Sequence, residues 1–205
     1  MGDRDPGLLR APMQQRSQDS TNRMLDAALD ILDRDGLARL TIAAVAKHAD
    51  VATGTIYHRF KDRHALIVGA QDRFLNRLEE QLLIASAPLL VVSGNEKFLQ
   101  GLIELVEETF GTHRNAFRAF MMTYADDPLL RARGTESSRR FAEFVTDTLT
   151  VRFECSHDTA DSAYRLLYAD AVLGTLFSPN ELSQSPASTR KRLAHIKKAL
   201  DALLS

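Results

Sequence analysis

Only one cysteine, Cys155, occurs in the 205 residues. A disulfide within the chain is therefore excluded, and the composition fits a reducing cytoplasm. A basic excess is also missing: 26 Lys and Arg stand against 27 Asp and Glu, for a formal net charge of −1 and an isoelectric point near 6.6. Whole-chain charge thus gives no attraction to nucleic acid, and any such contact must use a local basic face. Long apolar runs are absent. The longest, residues 87–92 and 169–177, fall far short of the roughly 20 residues that span a bilayer. Met1 to Pro12 carries acids and prolines without an apolar stretch, so no signal peptide is expected. GxSxG, P-loop and HExxH motifs are missing. His48, His58 and His64 lie close in sequence but do not share one helical face at metal-ligand spacing. Cys155 with His157 two residues on reads as structural or incidental. The expectation is a cytoplasmic protein that is not an enzyme, with no catalytic residue, metal, cofactor or membrane contact.

What is present is helical period. Hydrophobic residues make up 44% and charged residues 26% of the chain, enough apolar material for a real core. Apolar residues recur three and four apart almost throughout, which predicts an all-α fold of about nine helices. The first is expected over 19–35, capped by Ser20 or Thr21, with Met24, Leu25, Ala28, Leu29, Ile31 and Leu32 inward and Gly36 after its end. Residues 1–16 have no period and read as a mobile arm, or as an arm whose Arg10 and Arg16 touch DNA. Asp62 can cap a long helix ending at Ala87-Pro88, and Asp127-Pro128 can open another that reaches about Phe153. Further helices are expected over 95–111, 114–124, 158–177 and from Pro186 onward, with 178–186 as a loop. No repeat or low-complexity tract appears.

Residues 41–61, TIAAVAKHADVATGTIYHRFK, carry the functional signal. Thr41 can cap one short helix whose apolar face is Ile42, Val45 and Ala46. Ala49-Asp50-Val51 makes a tight turn, and Asp tolerates a left-handed backbone better than most residues. A second short helix follows over 52–59, with Val51, Ile56 and Phe60 inward. That is the pattern of a helix-turn-helix. Thr53, Thr55 and Tyr57 can bond base edges or pack on thymine methyls in a major groove. Gly54 lets backbone approach closely. Tyr57, His58, Arg59 and Lys61 can reach phosphates, and the Thr41 hydroxyl can donate to one. From residue 1 to 65 there are 10 Lys and Arg against 9 Asp and Glu, with Arg59, Lys61 and Arg63 grouped near the reading helix.

The segment MLDAALDILDRDGLARLTIAAVAKHADVATGTIYHRFKDRHALI resembles the N-terminal part of the TetR-type transcriptional regulators. The shared features are Leu-Asp-Ala-Ala in the first helix, Gly36, Thr41, Gly54-Thr55-Ile56-Tyr57 and Phe60-Lys61. Beyond residue 67 only the number and order of helices are similar. Asp50 stands where the family usually has Gly. Ala52 and Thr53 stand where members often show Ser and a basic residue, so one hydroxyl contact to phosphate is missing here.

The resemblance implies a division into an arm (1–15), a helix-turn-helix DNA-binding domain (16–63) and a helical effector-binding and dimerisation domain (64–205). It implies a sequence-specific regulator, most simply a repressor released from a palindromic double-stranded operator by a small, largely apolar effector. An activator, or a helical adaptor without effector, remains open beside it. The effector pocket implied among the middle helices has as candidates Phe98, Leu102, Phe117, Phe120, Met121, Tyr124, Phe141, Phe144 and Tyr168. His113, Arg114 and Arg118 can serve an acidic ligand or lie at the surface. The last two helices are implied to pair with their copies in a homodimer through Tyr164, Ala171, Gly174, Thr175, Leu193, Ile196 and Leu200. The plain alternative for every aromatic and aliphatic residue named is the protomer's own core.

Overall fold

The computed structural model describes residues 10–124 and 126–205, and of residues 10–16 and 122–124 it describes the backbone alone. The side chains of Arg10, Arg16 and Tyr124 therefore lie outside the described residues. The described chain forms ten α-helices and one 3-10 turn and contains no strand. Among the described residues no helix is long and apolar enough to cross a membrane. Contacts divide the chain into two compact units between Phe74 and Leu75, inside α4.

The first unit holds α1 (Arg10–Asp35), a 3-10 turn (Leu37–Arg39), α2 (Ile42–His48), α3 (Thr53–Arg59) and the first turns of α4 (Arg63–Leu90). α1 starts at Arg10, well before the expected position 19. Ser20 and Thr21 are accordingly interior residues, not caps. The Thr21 hydroxyl donates back to the Ser17 carbonyl at 2.9 Å, the usual way a helix absorbs a hydroxyl. The expected apolar face of α1 is buried in full, from Met24 to Leu32. Gly36, at φ 77°, ends the helix in the left-handed region that glycine enters at no steric cost.

Leu32, Leu40, Ile56 and Leu66 are completely buried in this unit. Each contributes about 1.5–3 kcal/mol relative to an exposed position. Polar ties fix the frame around them. Arg73 on α4 forks onto Asp26 of α1, Nε donating to Oδ1 at 2.5 Å and Nη2 to Oδ2 at 2.8 Å, while Nη1 reaches Asn22 at 2.9 Å. His48 of α2 meets Asp30 of α1 at 3.1 Å. Arg63, grouped by sequence with the DNA-facing cations, does something else. Its Nε and Nη2 donate to the carbonyls of Leu40 and Leu37 at 2.5 and 2.8 Å, tying the start of α4 to the link before α2.

The second unit holds the rest of α4, then α5 (Asn95–Thr112), α6 (Arg114–Tyr124), α7 (Pro128–Phe153), α8 (His157–Leu176), α9 (Pro179–Leu182) and α10 (Thr189–Leu204). α8 is its central element, packed by α5, α6, α7 and α10. Its inward face mixes Ala160, Ala163, Ala171 and Thr175 with Tyr164 and Leu167. The small side chains let several helices approach at once. Asp127 accepts from the backbone N–H groups of Leu129 and Leu130 at 2.9 and 3.1 Å, capping α7 as expected. Gly134 does not interrupt that helix.

Four boundaries in this unit differ from expectation. α4 continues through Pro88 to Leu90, because a proline in the last turn removes only one ladder bond. α8 is capped by Ser156, whose hydroxyl accepts from the Thr159 N–H at 3.1 Å, so Asp158 lies in its first turn. The expected loop at 178–186 contains the single turn α9, closed by Glu181 accepting from the Ser178 N–H at 2.7 Å. α10 then begins at Thr189, not at Pro186, with Ser188 as its cap.

One local strain is testable. Asp50 occupies φ 52° at the position after α2 where glycine is favoured. We expect Asp50→Gly to raise the unfolding free energy by about 0.5–1 kcal/mol, a rise in Tm of about 1–4 °C. A lower Tm in calorimetry would show that the aspartate side chain supports the turn.

Candidate functional site

The turn between α2 and α3 decides what α3 presents. Ala49 N–H donates to the Val45 carbonyl at 2.8 Å, and Val51 N–H reaches back to the Ala46 carbonyl at 3.0 Å across the left-handed Asp50. This six-to-one bond reverses the chain and satisfies carbonyls that the end of α2 leaves free. Ala49 is buried, Val51 is half-buried and Ile56 is completely buried, so α3 is held by its inner face.

Its other faces are open. Thr53, Gly54, Thr55, Tyr57, His58 and Arg59 are all exposed, as are Lys61 and Thr41 beside them. Tyr57 is 56% exposed, a high value for an aromatic side chain. None of the side chains of Thr53, Thr55, Tyr57, His58, Arg59 and Lys61 bonds to another described residue. A row of donors and acceptors left to solvent on a rigid short helix is what groove readout requires. The Thr41 hydroxyl accepts from the Ala44 N–H at 3.1 Å, and that use leaves its own proton free to donate outward. Ala52 opens α3 without a side-chain cap.

Gly54 is informative in a different way. Its backbone is not left-handed, and a Cβ placed on it would meet no described atom beyond its own helix turn within 4 Å. No described residue around it requires glycine there. Three acids of α1 have basic partners: Asp26 on Arg73, Asp30 on His48 and Asp35 on Arg34. The Arg34 guanidinium also holds the Asp35 carboxyl below the usual carboxylate range.

The described side chains expected to line a pocket among the middle helices pack against one another. Phe98, Leu102, Phe117 and Phe120 are buried, and Met121, Phe141, Phe144 and Tyr168 are half-buried. Phe110 stacks on Phe117 at 4.4 Å and meets Tyr168 edge-on at 5.8 Å. Phe98, Leu102 and Phe144 border a void of only about 10 Å³, room for one water molecule at most. Phe98, Leu102, Phe117 and Phe120 belong to the buried core of this unit. Periodic aromatics report burial, and the gap a ligand needs leaves no trace in the period.

Larger space lies elsewhere. A depression of about 180 Å³ opens among α5, α6, α8, α9 and α10. Glu107, Phe110, Arg114, Asp170, Phe177 and Arg192 are among its lining residues, and most were not singled out by sequence. Arg114, half-expected as an anion binder, donates through Nη2 to the Gly174 and Phe177 carbonyls at the end of α8.

The dimer candidates also need correction. Tyr164, Ala171, Thr175 and Leu200 are buried within the protomer, where they hold α8 and α10 to their own chain. Gly174, Leu193 and Ile196 are half-buried. The exposed apolar residues of these helices are Leu173 and Leu203, with Phe177 just past α8.

The segment that carries α2 and α3 also falls within a match to a known family. Residues 24–70 match the family described as bacterial regulatory proteins, tetR family. The HTH-type transcriptional regulator UidR of Escherichia coli strain K12 is 28% identical over 171 residues, covering 80% of this chain and 83% of UidR. In structure, a TetR-family transcriptional regulator from Mesorhizobium loti superposes with a TM-score of 0.71 at 16% identity, over 92% of this chain and 96% of its own. The multidrug binding protein EbrR complexed with imidazole gives 0.65 at 21% identity, over 90% and 94%.

Gly54→Ala separates an internal from an external role for the glycine. We expect the variant to be more stable by about 0.5–1 kcal/mol, because alanine is the better helix former. We expect it to bind DNA about tenfold more weakly, a loss of about 1.4 kcal/mol. Unchanged affinity in an anisotropy titration would place the DNA backbone away from Gly54.

Proposed function

The chain belongs to the TetR family of bacterial regulatory proteins, and we propose that it is a homodimeric repressor that leaves a palindromic operator when a small molecule binds its C-terminal body. Its general function is that of a DNA-binding transcriptional regulator. The observation that carries the reading is α3 itself: fixed by buried Ile56 and lined outside by Thr53, Thr55 and Tyr57 with no partners of their own. Thr53 and Thr55 read bases. Tyr57, His58, Arg59, Lys61 and Thr41 serve the phosphates, and Gly54 admits the DNA backbone. The domain division at 16–63 and 64–205 belongs to this reading.

One reading head covers few base pairs, so two copies are needed for specificity, set about 34–36 Å apart for adjacent major grooves. α8 and α10 supply the contact between copies, through their exposed residues such as Leu173 and Leu203 and not through the buried ones. Effector release follows from population shift: a ligand that binds better when the heads are wrongly spaced lowers operator affinity. EbrR, similar in fold, is described as a multidrug binding protein and is complexed with imidazole in one structure and malachite green in another. That supports a small-molecule effector here.

A shift assay against the DNA upstream of the chain's own gene tests the function, and two substitutions test its parts. Lys61→Ala should weaken binding evenly across sequences and lower the salt slope by about one. Thr55→Ala should change base preference instead. Equal effects of the two on a sequence panel would contradict the division between phosphate and base contacts. Sedimentation at micromolar concentration should return a dimer; a monomer there removes the two-half-site reading.

A further inference from the structure

We propose that Arg63 is a positioning residue for DNA binding: its guanidinium sets the separation between Thr41 and Lys61, the phosphate contacts at the two ends of the helix-turn-helix. The inference rests on the DNA-binding reading above and adds to it a residue that acts without touching DNA.

The two ends of the motif need a tie. Thr41 opens α2, Lys61 follows α3, and the chain between them reverses at the left-handed Asp50. A hydrogen bond to a phosphate oxygen holds over a range of only about 0.5 Å. Thr41 and Lys61 therefore engage one DNA backbone together only when their separation is fixed. Buried Leu40, Ile56 and Leu66 hold the region by apolar contact, which has no direction.

Arg63 supplies the direction. It is the first residue of α4, and that helix start is itself fixed, because the Asp62 carboxylate accepts from the Ala65 N–H at 2.8 Å. From there Nε donates to the Leu40 carbonyl at 2.5 Å and Nη2 to the Leu37 carbonyl at 2.8 Å. The Leu40 carbonyl lies outside the α2 ladder, which begins with the Thr41 carbonyl accepting from the Val45 N–H at 3.0 Å. Leu40 immediately precedes Thr41, and Lys61 lies two residues before Arg63. One planar group thus holds both ends. Its donors are turned inward, whereas the Lys61 ammonium bonds no described residue. Lysine in place of Arg63 keeps the charge but offers one point donor on a flexible stem where the fork had two fixed prongs.

The test uses the full chain and the duplex that the native chain enriches from a random library, with affinity read by anisotropy at a temperature where every variant keeps the native helical spectrum. Arg63→Lys should weaken binding about tenfold and leave the salt slope unchanged. In the Lys61→Ala background one end of the motif no longer needs placing, so the same change should cost less than about threefold. Arg73→Lys is the control: it breaks a comparable fork, between α4 and α1, and its cost should be the same with and without Lys61. Undiminished binding by Arg63→Lys, a slope lowered by about one, a cost that persists in full beside Lys61→Ala, or an equal coupling of Arg73 to Lys61 overturns the proposal. A native chain that enriches no duplex removes the DNA-binding reading and the proposal with it, whereas native binding beside an indifferent Arg63→Lys removes the proposal alone.

Discussion

The hydrogen bond from Val51 N–H to the Ala46 carbonyl, closed across a left-handed aspartate, is the constraint on which the reading surface depends. It sets the path of the chain out of α2. Ile56 can then be buried while the residues on either side of it face solvent. Without that reversal, α3 would continue in another direction and Thr53, Thr55 and Tyr57 would share no outward face. The turn is supported from behind. Arg63 ties the start of α4 to the link before α2, and Arg73 ties α4 to α1. These arginines act within the protein. Of the cations near α3, Arg59 and Lys61 keep unengaged side chains for a partner.

The second unit is organised on a different principle. α8 carries alanines and a threonine inward so that α5, α7 and α10 can close on it. The aromatic side chains of α5, α6, α7 and α8 fill the interior by stacking and edge contacts. A depression opens toward α9 and α10. Arg192 pins α10 there by reaching α5 and α8 together.

Legibility in the sequence tracked the range of the forces involved. The helices of residues 24–67 were readable because period, caps and turn chemistry are local: Thr41, Asp62 and Gly36 do what their types dictate. The exposure of α3 was readable for the same reason, since Ile56 and Phe60 mark its inner side. Arg63 was misplaced because its partners, two carbonyls, carry no sequence signal. Tyr164, Thr175 and Leu200 were assigned to a partner copy because an apolar stripe looks the same whether it faces its own chain or another. The depression escaped altogether, because Glu107, Asp170 and Arg192 are far apart in sequence and meet only through tertiary packing.

The central claim is that α3 reads bases as one half of a symmetric pair. Selection of bound duplexes from a random library, using the full chain, tests it most directly. The account predicts an enriched palindrome whose half-sites are centred about one helical turn, or a multiple of it, apart. Enrichment of a single asymmetric half-site, or of no sequence at all, would contradict it.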